Sequence, residues 1–243
     1  MKTQWIGGIH AVRQALTDKR ILRAEIVEGK KSKNLALLLE DMLAQGIAIE
    51  RVPLYGIDMR LPDVRHQGIA AECLVAEQAA NWQAAIAGIE QPLILVLDGI
   101  QDPHNLGACL RSALAAGVDA VLLPNSRSAD ITPVVHKVSC GASEVLPISR
   151  VANLKREVEA MKEKGLWVVG GAGEESVSLY SLDLRGGLVM IVGNEGEGIR
   201  FGLRECCDYL AAIPMAEGME SLNVSVACGV MLFEARRQRL SGA

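Results

Sequence analysis

Three stretches of the chain place polar side chains where packing alone does not ask for them. The first runs from Asp98 to Arg111, DGIQDPHNLGACLR. Pro103 forces an extended turn there, and Asn105 is a natural helix cap. In the helix that should begin at Asn105, Leu106, Leu110, Ala113 and Leu114 share one face. Arg111 lies well off the centre of that face and can project into a cleft. The second stretch, VMIVGNEGEGI from Val189 to Ile199, is an unbroken apolar run followed by a glycine-rich turn. A strand buried on both faces of a parallel sheet reads this way, and Gly193, Gly196 and Gly198 would let a ligand approach the main chain closely. The same glycines could also serve only a tight strand-to-helix turn. Their G-x-x-G-x-G spacing reverses the dinucleotide fingerprint, and Glu195 and Glu197 would repel a pyrophosphate. Carboxylates in that turn suit a cationic or hydroxyl-rich ligand. The third stretch, Ile213 to Ala227, reads IPMAEGMESLNVSVA. It sets Asn223 at the head of an apolar helix, where a polar amide needs a protein or ligand partner, and Ser221 can cap that helix.

Positioning these segments requires strands that end beside one another. From Pro92 onward the apolar pattern alternates between strands and helices. Strands are expected at Leu93–Leu97, Ala120–Leu123, Val145–Ile148, Leu166–Val169, Val189–Val192 and Leu210–Ile213. Helices are expected from Asn105, from Asp130, over Val151–Lys164, near Ile199–Cys206, and from Leu222 to about Arg239. Such alternation predicts an α/β fold with a mostly parallel sheet and helices on both faces. The last helix is apolar nearly all round, so a core or a partner chain should cover it. Ahead of Pro92 the units are shorter: a helix at Ile9–Leu16, a strand at Ala24–Val27, an amphipathic helix through Leu35, Leu38, Leu39, Met42 and Leu43, and strands at Ile47–Val52 and Gly68–Val75. These form a small α/β domain over residues 1–75, followed by a helical or irregular linker over 76–91 and the larger domain over 92–243.

Half of the 243 residues are hydrophobic and 3% are aromatic, so a sizeable, mostly aliphatic core can form. The N-terminal stretch lacks the apolar run of a secretion signal, and no segment offers the ~18 uninterrupted apolar residues of a membrane span. A soluble, unprocessed, cytoplasmic protein is expected. Cys73, Cys109, Cys140, Cys206, Cys207 and Cys228 form no C-x-x-C pair, which favours reduced and buried thiols. His10, His66, His104 and His136 have no metal-ligand spacing, so no metal is expected. The net charge of −4 does not advertise a nucleic-acid binder, but residues 1–33 hold eight Lys or Arg against three acids, which leaves the remainder at about −9. A basic module joined to an acidic one fits phosphate binding at one end and catalysis at the other, though a solvated surface would look the same.

Taken in order, the three polar segments resemble the signature motifs of the SpoU (TrmH) family of S-adenosylmethionine-dependent RNA ribose 2′-O-methyltransferases. GIHAVRQAL near the N-terminus and His66-Gln67-Gly68-Ile69 are similar to the small RNA-binding domain, itself like ribosomal protein L30e, of one branch of that family. The resemblance spans the chain and implies several things at once. The larger domain should thread its C-terminal segment into a trefoil knot of the SPOUT type, an exception to the rule that chains do not thread loops. S-adenosylmethionine should sit bent in that knot, cradled by the loops at Gly170–Ala172, Gly193–Gly196 and Ile213–Leu222. Cofactor contacts then fall to Gly171, Ala172, Gly193, Asn194, Gly196, Ile213, Met215 and Leu222. Catalytic roles fall to Asn105, Arg111, Glu195, Ser221 and Asn223, in a homodimer joined through its knotted domains. The substrate implied is a guanosine ribose of 23S rRNA. A tRNA ribose methyltransferase, a non-catalytic L30e-like RNA-binding protein and, more remotely, a nicotinamide-dependent oxidoreductase are the rival readings.

A ribose 2′-hydroxyl is a poor nucleophile, so such a site must favour the alkoxide and align it with the methyl donor. Arginine is effectively always protonated, so Arg111 is expected to stabilise the developing oxyanion rather than to take a proton. Glu195 and Asn223 would position Arg111, the ribose or the cofactor.

Overall fold

The computed structural model describes residues 3–30, 32–62, 64, 66–74, 81–173, 177–219 and 221–241, and its chain divides into two units, Met1–Glu77 and Gln78–Ala243. The first unit contains β1 (Thr3–Gly7), α1 (Ile9–Thr17), β2 (Ile21–Val27), α2 (Lys33–Ala44), β3 (Ala48–Val52), α3 (Leu54–Arg60) and β4 (Ile69–Leu74). Its sheet runs β1-β4-β2-β3, with β2 and β3 parallel and the other pairs antiparallel. Ser32 starts α2 by accepting a bond from the Leu35 amide, and Leu35, Leu38 and Met42 bury its inner stripe against Val12, Leu16 and Ile69.

Two elements of this unit escape the sequence pattern. β1, TQWIG, shows no clean alternation, and α3 is only seven residues long with Leu54, Tyr55 and Met59 exposed. Trp5 on β1 lies under two guanidiniums, Arg23 at 5.2 Å and Arg60 at 4.6 Å from the ring centre. Both arginines are also held by acids, Arg23 by Glu72 at 2.7 Å and Arg60 by the buried Glu25 at 2.8 Å. Arg20 pairs with Asp18 and Arg13 with Asp41. Part of the basic excess of residues 1–33 is therefore neutralised inside the unit, while Lys19, Lys30 and Lys33 remain exposed.

The second unit begins with α4 (Trp82–Ala85), followed by β5 (Leu93–Asp98), α5 (Pro103–Ala116), β6 (Ala120–Pro124), α6 (Pro133–Val138), α7 (Ala142–Val145), β7 (Ile148–Val151), α8 (Leu154–Glu163) and β8 (Trp167–Gly171). Then come β9 (Val177–Ser178), a 3-10 turn at Leu179–Ser181, β10 (Leu188–Gly193), α9 (Phe201–Arg204), β11 (Tyr209–Ala212) and α10 (Val224–Ser241). All seven strands are parallel, in the order β7-β6-β5-β10-β8-β11-β9. The mostly parallel sheet with helices on both faces is therefore observed. β5 and β10, the most apolar strands, lie at its centre and are buried throughout. One face carries α5, α6, α7 and α10, and the other carries α4, α8 and α9. Gly107 lets α5 close on α6, since a Cβ there would fall 2.7 Å from Val138 Cβ.

Several sequence expectations are corrected. Helix α5 starts at Pro103, not Asn105: Asp102 is the cap, accepting from the His104 amide at 2.9 Å, and the proline fills the first helical position, where its missing N–H costs nothing. Val145 closes α7 instead of opening a strand, which starts at Ile148. The expected linker is only partly one. Trp82 is buried in the second unit's core, and its indole N–H donates to Glu157 at 2.8 Å, while residues 75–80 lie outside the described ones. Leu114 is exposed, and Cys140 is exposed although the other thiols are buried or half-buried. The last helix begins at Val224. It buries Cys228, Met231, Leu232 and Ala235 but turns Val226 and Phe233 to the surface.

Candidate active site

Because every strand of the larger sheet is parallel, all strand-to-helix loops at its carboxyl edge emerge on one side, where ligands of open α/β sheets bind. Two clefts lie along that edge. The first, of about 520 Å³, is framed by the loops after β8, β10 and β11 and by the start of α10. The second, of about 720 Å³, is framed by the loop after β5, by Arg127 in the loop after β6, and by the loop after β10. Asn194, Glu195, Gly196, Glu197 and Val224 line both, so the turn after β10 is the wall between them.

That turn is built by its own sequence. Asn194 Oδ1 accepts from the amides of Gly196 at 2.9 Å and Glu197 at 2.7 Å, an Asx turn that folds the chain back until Asn194 bridges Gly198. Gly193 has no alternative at its position, because a Cβ there would lie 2.1 Å from the Gly198 carbonyl carbon. Asp98 holds the far end of the turn. It closes the apolar strand β5, is 1% exposed, and accepts from the Arg200 amide at 2.9 Å and from its Nε at 2.7 Å. This bonding holds the Arg200 guanidinium above the usual arginine range.

At the shared wall the three polar segments meet. Glu195 Oε1 accepts from Asn223 Nδ2 at 2.7 Å, from Asn105 Nδ2 at 3.0 Å and from the Val224 amide at 3.3 Å. Asn223 Nδ2 also donates to Asn105 Oδ1 at 3.0 Å. A carboxylate at the first amide of α10 is further favoured by the helix dipole. Asn223 is itself the cap of that helix: its carbonyl accepts from Val226 and Ala227, and its Oδ1 accepts from the Ser225 amide and hydroxyl. Ser221, expected as the cap, instead lies in the preceding coil and lines the first cleft.

The side chains expected to act together do not all converge. Gly171, Ala172, Gly193, Asn194, Gly196, Ile213, Met215 and Leu222 line the first cleft, with Ser221. Asn105, Glu195 and Asn223 form one hydrogen-bonded cluster. Arg111 lines neither cleft. It is exposed on α5, with no ion-pair or hydrogen-bond partner among the described residues. Six residues on from Asn105, it lies roughly 9 Å further along the axis and about 120° round it. Sequence reasoning missed Arg204, Leu210, Ala227 and Met231 in the first cleft, and Asp98, Asp102, Arg127 and Arg200 around the second. Only Asp98 left a readable sign, a carboxylate closing an otherwise apolar strand. Among the described residues no three His, Cys, Asp or Glu side chains converge as a metal site would need, and no helix is long and apolar enough to cross a membrane.

The SpoU rRNA Methylase family profile matches residues 92–233, which hold both clefts and the cluster. The chain belongs to that family. A second profile, RNA 2′-O ribose methyltransferase substrate binding, matches residues 5–78. The 23S rRNA (guanosine-2′-O-)-methyltransferase RlmB of Vibrio cholerae is 45% identical over 245 residues, covering 99% of each chain. RlmB of Escherichia coli is also 45% identical, over 98% of this chain and 99% of its own. Among solved structures, the AdoMet-bound rRNA methyltransferase of Sinorhizobium meliloti aligns at a TM-score of 0.69 and 26% identity, over 97% of this chain and 87% of that one. Within the SpoU family the three motif segments thus have a physical meaning here: they are the chain pieces that meet at Glu195.

Proposed function

We propose that this SpoU-family chain transfers a methyl group from S-adenosylmethionine to the 2′-hydroxyl of a guanosine in 23S rRNA, in the cytoplasm, during ribosome maturation. The observation that carries the reading is the Asn105–Glu195–Asn223 cluster on the wall between two clefts, which gives a ribose a place beside a cofactor. The matched substrate-binding segment at residues 5–78 and the RlmB relatives favour an rRNA enzyme over a tRNA enzyme or a non-catalytic RNA binder.

The first cleft fits the cofactor on its own chemistry. Gly171 and Gly193 line it where the chain packs too tightly for a side chain: a Cβ on Gly171 would press Met231 Sδ at 2.9 Å, and one on Gly193 would strike Gly198. Leu210, Ile213, Leu222 and Ala227 offer apolar walls, while Glu195, Glu197 and Arg204 bring both charge signs to the lining. A molecule with a cationic sulfonium, an ammonium and a carboxylate matches that mixture. When bound, S-adenosylmethionine supplies an electrophilic methyl group.

The chain's residues do the rest. Glu195 lines both clefts and is held by three donors on Oε1, while Oε2 has no hydrogen-bond partner among the described residues, so it can orient a hydroxyl. Asn105 and Asn223 fix the carboxylate. Arg111, outside its own clefts, is assigned to the oxyanion through a second copy: a homodimer of the larger unit, in the knotted arrangement of the family, would bring α5 of one protomer to the site of its partner. The exposed Val226 and Phe233 on α10 and Leu114 on α5 are available to such an interface. The unit at Met1–Glu77 would select the RNA.

Total RNA incubated with the protein and labelled S-adenosylmethionine tests the reading. Label should enter 23S rRNA at a linkage resistant to alkali, because a 2′-O-methyl group removes the nucleophile of alkaline cleavage. Label confined to tRNA, or alkali-labile label, would contradict it.

A further inference from the structure

Beside the cleft assigned above to the cofactor, the second cleft uses its charges unevenly. Its lining includes four acidic residues and two arginines: Asp98, Asp102, Glu195 and Glu197, with Arg127 and Arg200. Asp98 is engaged with Arg200, and Glu195 Oε1 with the two asparagines. Asp102 is half engaged, its Oδ1 capping α5 while Oδ2 has no partner among the described residues. Arg127 has no hydrogen-bond or ion-pair partner among the described residues, and its φ of 58° puts it in the left-handed region that side chains rarely adopt. It is nevertheless held in place. The Ile100 carbonyl accepts from the Ala129 amide at 2.8 Å and from Ser128 Oγ at 3.3 Å, tying the loop of Arg127 to the loop of Asp102.

Resting on the methyltransferase reading, we propose that this cleft seats the base of the target nucleotide and selects guanine through Asp102 and Arg127. The excess of carboxylates disfavours a phosphate there, and the space suits a base turned out of its stack. Guanine alone among the four bases presents two adjacent donors, N1–H and the N2 amino group, for one carboxylate. Its O6 and N7 are an acceptor pair for a guanidinium. Adenine would turn its N1 lone pair toward Asp102, cytosine its N3 lone pair, and uracil offers a single donor between two carbonyls. With the base in the second cleft, the ribose of the same nucleotide falls at the Glu195 wall, facing the first.

The test uses the full-length protein and a 23S rRNA fragment carrying, at the mapped position, guanosine, inosine or 7-deazaguanosine. Inosine lacks the amino group read by Asp102, and 7-deazaguanosine lacks the N7 read by Arg127. Each should lower kcat/KM roughly ten- to a hundred-fold, the scale of one base-reading contact. Asp102→Asn keeps the helix cap through Oδ1; it should lose activity on guanosine and methylate guanosine and inosine about equally. Arg127→Ala should lose the penalty for 7-deazaguanosine. Cofactor affinity by calorimetry should match wild type in both, which also shows that they fold. If both variants kept the wild-type preference for guanosine while binding cofactor, the base subsite would be wrong and the methyltransferase reading would stand. If the wild-type protein bound cofactor but methylated no RNA, both would fall.

Discussion

Glu195 receives three donors on one carboxylate oxygen, and that arrangement, more than any single motif, makes the candidate site. A cap-type Asn105 after Pro103, a carboxylate Glu195 inside a glycine turn and an amide Asn223 heading an apolar helix each stand out by type and place, so the members of the cluster are legible in the sequence. Arg111 is legible only in type: one helix face is enough to exclude it from the core, but not to say which cleft it reaches. The glycines of the turn look alike in sequence and differ in space. A Cβ on Gly196 would meet only Asn194 Oδ1 at 3.7 Å, whereas one on Gly193 would collide with backbone. Gly193→Ala should therefore destabilise the fold itself, visible as a lower Tm. Gly196→Val should leave Tm nearly unchanged and weaken S-adenosylmethionine binding in calorimetry. The thiols make a second prediction. Burial pushes Cys73 up to about 11 and Cys207 up to about 12, so both stay protonated and unreactive at pH 8, while Cys140 is exposed. Iodoacetamide at pH 8, followed by mass spectrometry, should label Cys140 first, and Cys73 and Cys207 only as pH climbs toward those values or the chain unfolds.

At the scale of elements, the buried strands and long helices are readable because their apolar periods are unambiguous. What stays hidden is short or decided by neighbours. α3 and α4 span seven and four residues, too few to show a period, and β1 forms because it pairs with β4 across most of the unit's sequence. α4 matters most for handling the protein. Residues 76–91 read as polar and alanine-rich, yet Trp82 is 1% exposed and hydrogen-bonded to α8 through Glu157. A chain beginning at Asn81 should fold and bind cofactor but lose most RNA affinity. One beginning at Gln91 loses Trp82 as well and should be less stable by roughly 3–5 kcal/mol, the cost of emptying a large aromatic site. Chemical denaturation of the two truncated chains compares them directly, and equal stability would refute the anchoring role.

At the scale of the whole molecule, a single chain holds two clefts and the Glu195 cluster but keeps Arg111 outside them. The apolar sequence of α10 requires a cover without saying which, because a core and a partner chain leave the same signature. If a partner's arginine completes each site, Arg111→Ala should cut kcat by roughly 10²–10³ with little change in cofactor affinity. Mixing that variant with an Asn105→Ala variant should then restore part of the activity, since one site of each mixed dimer would be whole. Recovery absent from mixtures of differently tagged chains, shown by native mass spectrometry to exchange subunits, would place the arginine's action within one chain. The central claim is that methyl transfer happens at the Glu195 wall, and single-turnover methylation of 23S rRNA by Glu195→Ala at saturating S-adenosylmethionine tests it most directly. The account predicts a rate lower by about 10²-fold or more, the scale of a misplaced reacting group, with the cofactor still bound. A normal single-turnover rate would contradict it.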